Sequence, residues 1–295
     1  MQRTEHNQDN VNGPLFMLIS CILFSIMGGL IRYLSLMDLH PFMAAFFRTL
    51  LALIFLIPTF HRVGIRGLKT ARLKLHMFRG MVSAIAVIAG FYAVTVIPLA
   101  NATSYSFAAP VIATVLAVIF LKERIRLPRI ASIIFGFLGM LILLRPGIAP
   151  FSLGVGAALI SAVAVAFTII CVRSLSQTEK PNVVAVYSLI FTLPISFSFA
   201  LFHWTWPGPE LWGVLILIGL SAATAQYSIS KAFSHSETTA ILPIDFTRLI
   251  FAAAIGYIFF NETPDFYTFI GAGIILCSAV YAAHRESIRK KELHS

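Results

Sequence analysis

Apolar residues fall into ten long runs, at about 14–31, 41–60, 77–98, 100–121, 128–144, 151–172, 183–202, 211–233, 238–260 and 265–283, with short basic segments between them. A run of roughly 18 or more apolar residues crosses a hydrocarbon core as a helix, whereas a soluble core helix is shorter and keeps one polar face. The pattern predicts an all-α integral membrane protein of ten transmembrane helices. The layout is also written twice, over 14–144 and 151–283, leaving tails at 1–13 and 284–295. Leu18, Ile19, Ser20, Arg32, Leu34 and Ser35 recur in order as Leu159, Ile160, Ser161, Arg173, Leu175 and Ser176. Leu121-Lys122-Glu123 is answered by Phe260-Asn261-Glu262.

Five spans per half is an odd number, so the second half enters the bilayer from the opposite side and the halves are predicted to be inverted repeats. The basic residues agree. With the N-terminus in the cytoplasm, inner segments carry Arg3, Arg62, Arg66, Lys69, Arg72, Lys74, Arg79, Lys122, Arg124, Arg126, Arg129, Arg173, Lys180, Lys231, Arg285, Arg289, Lys290 and Lys291. Arg32 and Arg145 alone lie outside, and both termini are predicted to be cytoplasmic. Inverted repeats of this kind place a solute site near the midplane and rock between inward-open and outward-open states.

Composition removes other classes. At 58% hydrophobic and 12% charged residues, with a mean hydropathy of +0.88, the chain is too apolar for a soluble globular protein. The net charge of +10 does not point to nucleic acid, because the basic residues lie between spans rather than on one soluble face. Cys21, Cys171 and Cys277 sit within apolar runs without CxxC spacing, which predicts neither disulfides nor a metal site. No HExxH or phosphate-cradling glycine loop occurs, and no cofactor is expected. Arg3 is the only Lys or Arg before the long first run, which reads as a retained helix and not as a cleaved signal. Trp204, Trp206 and Trp212 cluster in one outer loop, as an interfacial anchor or a ligand cage.

Ionisable groups inside spans are costly, at roughly 2.5–3.5 kcal/mol each at a helix centre, and need a partner or a wet cavity. Arg48, Asp245 and Arg248 are the candidates. Asp245 and Arg248 share a helix face three residues apart. They form either a polar cavity wall, facing a cationic group and a carboxylate, or a self-neutralising pair that fixes packing. Arg48 either pairs with a neighbouring helix or contacts solute. Glu123 and Glu262 end helices four and nine at matching repeat positions and fit gates or end caps. Pro110 and Pro243 free carbonyls within spans. Tyr92, Tyr105, Phe107, Gln226, Tyr227 and Phe246 are further candidates to stack on or hydrogen-bond a planar solute, each also explicable as a core or lipid-facing residue.

Several stretches together resemble the EamA type of the drug/metabolite transporter superfamily, over nearly the whole chain. They are Ala45 to Arg48, Tyr92 to Pro98 leading into Ala102-Thr103-Ser104 and Pro110, and Phe120 to Glu123. The second half contributes Lys231 to Ser234, Pro243 to Arg248, and Phe260 to Glu262 followed by Pro264. The resemblance implies a bacterial inner-membrane secondary carrier working without ATP, with a cavity lined mainly by helices one, three, four, six, eight and nine. The Lys231 to Ser234 and Phe260 to Asp265 wording is similar to S-adenosylmethionine uptake carriers, and residues 243 to 249 are similar to riboflavin carriers. Export of amino acids or related metabolites remains open within the superfamily, as does a monomer or a homodimer. The alternatives from other classes are an integral-membrane enzyme, which would need a cluster of His, Asp or Glu at an interface, and a non-transporting assembly factor, which would lack a central cavity. Beyond the solute and the bilayer, no partner is predicted.

Overall fold

Backbone N–H and C=O groups find no water in the hydrocarbon core, so an apolar run satisfies them internally as a helix. The computed structural model describes residues 2–63, 70–121, 134–139, 141–142, 152–175, 178–179, 181–235, 244–245, 247–263, 265–274, 277–278 and 280–281. Its helices are α1 (Gln2–Leu36), α2 (Pro41–Val63), α3 (Leu73–Val96), α4 (Leu99–Ser106), α5 (Ala108–Leu121), α6 (Leu153–Leu175), α7 (Pro181–Leu201), α8 (Pro209–His235) and α9 (Thr247–Phe260). Helical residues also occur at 134–139 and 266–274, within the fifth and tenth runs. The protein is an all-helical, ten-helix membrane protein of two inverted repeats. Pro243, Phe246, Glu123 and the C-terminal tail lie outside the described residues, whereas residues 2–13, expected as a tail, are helical and continue into α1.

Five of the helices are long and apolar enough to span a bilayer: those covering Gly13–Leu36, Leu73–Val96, Leu153–Val172, Val183–Leu201 and Pro209–Ile229. Pro41–Leu56 and Thr247–Phe260 are shorter apolar helices. Their outward faces carry large apolar side chains, including Phe78, Met81 and Ile85 on α3 and Tyr257, Ile258 and Phe259 on α9. Such rows would be a liability in water and suit contact with lipid. Small residues face inward instead. Ala158, Ala162 and Ala166 are spaced one turn apart on α6, and the last two pack with Ala108, Ala109 and Ala113 of α5. Small residues let helix backbones approach closely where lipid supplies no hydrophobic drive.

Packing is exchanged between the halves. α3 packs on α6 as α1 packs on α8, α3 on α7 as α2 on α8, and α5 on α6 as α1 on α9. The pair α2 and α7 is its own counterpart. The fourth run, expected as one helix over 100–121, is broken at Phe107 into α4 and α5. Pro110 has no N–H to offer the Ser106 carbonyl four residues back, so the hydrogen-bond ladder is interrupted there.

The helix ends facing outward in the charge-based orientation are closed by left-handed residues. Asp38 follows α1 with φ of 59°, and Leu39 N–H donates to Leu34 O at 3.0 Å. Both leucines are buried, which supplies the hydrophobic contact of this stop. Asn261 follows α9 with φ of 52°, and Glu262 N–H donates to Gly256 O at 3.0 Å.

Candidate functional site

The α4–α5 break, the middle of α1 and the start of α9 bring polar groups together inside the bundle. Asp245 and Arg248 stand one turn apart, with Arg248 Nη2 4.0 Å from Asp245 Oδ2 and each side chain 25% exposed. The same Nη2 donates to Ser106 Oγ at 3.1 Å, and the guanidinium lies over the Phe107 ring at 5.5 Å. Arg248 Nε is buried without a hydrogen-bond partner. From α1, Cys21 Sγ lies 3.8 Å from Asp245 Oδ1, and Ser25 Oγ donates to Arg248 O at 3.0 Å. A 4.0 Å contact is a loose ion pair, and the remaining polarity of both groups is directed elsewhere.

Nearer the end that the charge pattern places outside, Glu262 joins three helices. Its Oε1 meets Arg32 Nε of α1 at 2.6 Å, and its Oε2 accepts the Leu99 N–H at 2.7 Å. Leu99 is the first residue of α4, whose initial N–H groups have no partner within the helix, so the carboxylate acts as an external cap. Arg32 Nη1 donates to Val94 O and Ile97 O, both at 2.8 Å, at the end of α3. Arg32 also lies 5.7 Å from the centre of the Phe260 ring. These contacts tie α1, the end of α3, the start of α4 and the end of α9 together.

Arg48 is buried in α2, with Nε unbonded and no ion pair among the described residues. The remaining candidates are dispersed. Tyr92 lines an apolar groove between α3 and α6 with Ala89, Leu153, Gly156, Ala157 and Ile160. Tyr105 is buried with Ala93, Ile97, Ala102 and Ala158. Gln226 and Tyr227 are exposed on α8, where Lys231 Nζ lies 5.9 Å from the Tyr227 ring centre. Phe47 packs on Trp204 and Trp212, and Trp204 on Trp206, so the tryptophans form an aromatic layer with α2. At that end His40 and His203 stack with ring centroids 3.7 Å apart. Burial, and then the neighbouring His203, lower the proton affinity of His40.

Sequence reasoning did not single out Ser106, Cys21 or Ser25 as site residues, and small hydroxyl or thiol residues in an apolar run give no signal of their own. It also missed a cluster at the opposite end of the bundle. There Arg72 donates to Ser174 O and Ser174 Oγ, each at 2.7 Å, Thr70 bonds Glu179, and Arg79 bonds the Val184 carbonyl. His76, fully buried, lies 3.6 Å from Glu179 and 4.7 Å from the Tyr187 ring. No group of three or more His, Cys, Asp or Glu able to hold a metal occurs among the described residues.

Apolar outer faces around charged residues enclosed between helices are the arrangement of a polytopic membrane protein. The EamA-like transporter family model matches residues 11–145 and 152–283, and the chain belongs to that family. An S-adenosylmethionine uptake transporter of Rickettsia prowazekii is 30% identical, covering 97% of this chain and 96% of the relative. A riboflavin transporter of Brucella anthropi is 28% identical, covering 82% and 88%. A pseudopaline exporter of Pseudomonas aeruginosa is 25% identical, covering 91% and 95%. A crystal structure that is 18% identical shares the fold, with a TM-score of 0.67 over 97% of this chain and 100% of the other.

Proposed function

We propose that this membrane transporter takes up a small polar organic metabolite, of the S-adenosylmethionine or riboflavin kind, by alternating access without ATP. The chain lies in a bacterial inner membrane with both termini in the cytoplasm. The observation that carries this reading is the Asp245–Arg248 pair. Two charges inside a bundle, each a quarter exposed and loosely paired, retain the capacity to meet a solute. Asp245 faces a cationic group of the solute and Arg248 an anionic or carbonyl oxygen. Arg48, Tyr92, Tyr105, Gln226 and Tyr227 complete the proposed set of solute contacts, and Glu262 with Glu123 serve as gates at the two ends.

Nothing in this mechanism forms or breaks covalent bonds. The solute enters between α1, α4 and α9 when the Arg32–Glu262 contact parts, replaces water around Asp245 and Arg248, and leaves when the opposite end opens. The experiment is counterflow in liposomes of defined orientation, preloaded with unlabelled S-adenosylmethionine, riboflavin or amino acids. Labelled solute should accumulate transiently against its own gradient, and Asp245→Asn with Arg248→Gln should reduce the rate at least tenfold. The carrier reading fails if none of the panel exchanges. The exporter relative favours a second direction of movement. Net flux only from the cytoplasmic to the outer face would establish export instead of uptake.

A further inference from the structure

Among the described residues Arg48 is a cation without a counter-charge. Its side chain is 6% exposed, its Nε bonds nothing, and none of the ion pairs among the described residues includes it. A guanidinium so placed is held at a cost unless a partner arrives, because removing a buried charge's partner is strongly unfavourable. Asp245 does not serve both arginines, since its carboxylate lies beside Arg248.

The other faces of α2 are occupied. Phe46 packs on Phe197 of α7, Phe47 on Trp212 of α8, and Leu51 sits against Gly219 of α8. By helical spacing Arg48 shares its side with Ala44 and Ala52 one turn either way, small residues that are themselves buried. That side is left to α1 and α3, both of which touch α2. Helix rise sets the depth. At about 1.5 Å per residue, Arg48 lies roughly 10 Å below the outer end of α2, and Arg248 roughly 18 Å below the outer end of α9.

The internal repeat adds an independent observation. A Cβ on Gly80 would collide with Phe191, and one on Gly219 would collide with Leu51. Gly80 matches Gly219 and Leu51 matches Phe191, each about 140 positions apart, so this scaffold contact is duplicated. The same register sets Arg48 opposite Ser188. The scaffold is present twice and the charge once.

We propose that Arg48 receives the carboxylate of the solute, and that the solute is an α-amino acid or a conjugate ending in one. Its anionic head lies toward the outer end, and its second polar portion reaches the Asp245–Arg248 pair roughly 8 Å deeper. The guanidinium binds both carboxylate oxygens through parallel N–H donors, which a lysine does not reproduce. This inference rests on the carrier reading and selects within it: S-adenosylmethionine carries an amino-acid arm and riboflavin carries no carboxylate.

The test is binding to detergent-purified full-length protein, read as ligand-dependent thermal stabilisation over a concentration series. The probes are S-adenosylmethionine, 5′-methylthioadenosine, which keeps the nucleoside but lacks the amino-acid arm, and riboflavin. S-adenosylmethionine should bind at least tenfold more tightly than either of the others. Arg48→Met should remove that tenfold preference, and Arg48→Lys should restore part of it. An Arg48→Met protein that keeps the wild-type elution profile and still prefers S-adenosylmethionine overturns the proposal. So does wild-type protein that binds 5′-methylthioadenosine as tightly as S-adenosylmethionine, a comparison that decides the matter even where Arg48→Met does not fold. Riboflavin binding that is tighter than the rest and indifferent to Arg48 overturns this inference but leaves the carrier reading standing. Binding of none of the three, together with absent counterflow, removes both.

Discussion

A single carboxylate illustrates what one residue does in this protein. Glu262 neutralises Arg32 and caps the first turn of α4, and a glutamine in its place would keep an acceptor for Leu99 N–H while losing the charge. Loss of one partner from a largely buried polar contact costs on the order of 1–3 kcal/mol. Glu262→Gln should therefore raise the fraction of molecules open at the outer end about tenfold or more. An impermeant thiol reagent acting on Thr103→Cys from the outside, with the three native cysteines replaced by alanine, measures this. Labelling at the unaltered rate would show that the contact does not restrain that end. The sequence made Asp245 and Arg248 legible as a pair because three residues of helix bring them together whatever the rest of the chain does. Arg32 and Glu262 meet only through the fold, so their partnership could not be read from spacing, although each recurs in the other half as Arg173 and Glu123.

At the scale of elements, apolar length alone locates the spans, since lipid leaves a helix as the only way to satisfy the backbone. The start of α2, the end of α7 and the start of α8 fall within two residues of the expected runs. The break at Phe107 was less visible, because a proline in a membrane helix is compatible with a kink, a break or neither. Where helices cross most closely, glycine is required. Gly80 has no space for a Cβ beside Phe191, and Gly219 has none beside Leu51. Overpacking of this kind costs roughly 1–3 kcal/mol. Gly80→Val and Gly219→Val should each lower the melting temperature of the purified protein by several degrees, by similar amounts because the contacts are counterparts. At Gly213 an added Cβ would meet nothing within 4 Å, so Gly213→Ala should be tolerated and serves as the control.

For the whole molecule, the halves defined by the sequence are not separate bodies in space. α3 of the first half is packed on α6 and α7 of the second, and α8 of the second on α1 and α2 of the first. The duplication was legible, but this interlocking was not, because a repeat reports equivalence and not which copies touch. The repeat relates two mixed groups, α1, α2, α8 and α9 in one and α3 to α7 in the other, which meet where α2 packs on its counterpart α7, and rocking is expected between these groups. A disulfide within a group should leave transport intact, and one across the seam should stop it. The pair Ala86→Cys with Ser161→Cys tests the first, since Ser161 Oγ bonds Ala86 O at 2.8 Å. The pair Leu99→Cys with Glu262→Cys tests the second, with reversal by reductant as the control. Equal inhibition by both cross-links would place the moving boundary elsewhere.

The short helix α4 has a different message when its two ends are taken together. Leu99, at its start, is held by Glu262, and Ser106, at its close, receives Arg248. Eight residues of helix thus connect the outer closure to the charged centre. Pulling Glu262 away removes the acceptor from the first turn of α4, and any tilt or fraying that follows is passed to Ser106. On the proposed mechanism α4 would act as a tie rod, so that parting the Leu99–Glu262 contact would also loosen the hydrogen bond from Arg248 to Ser106.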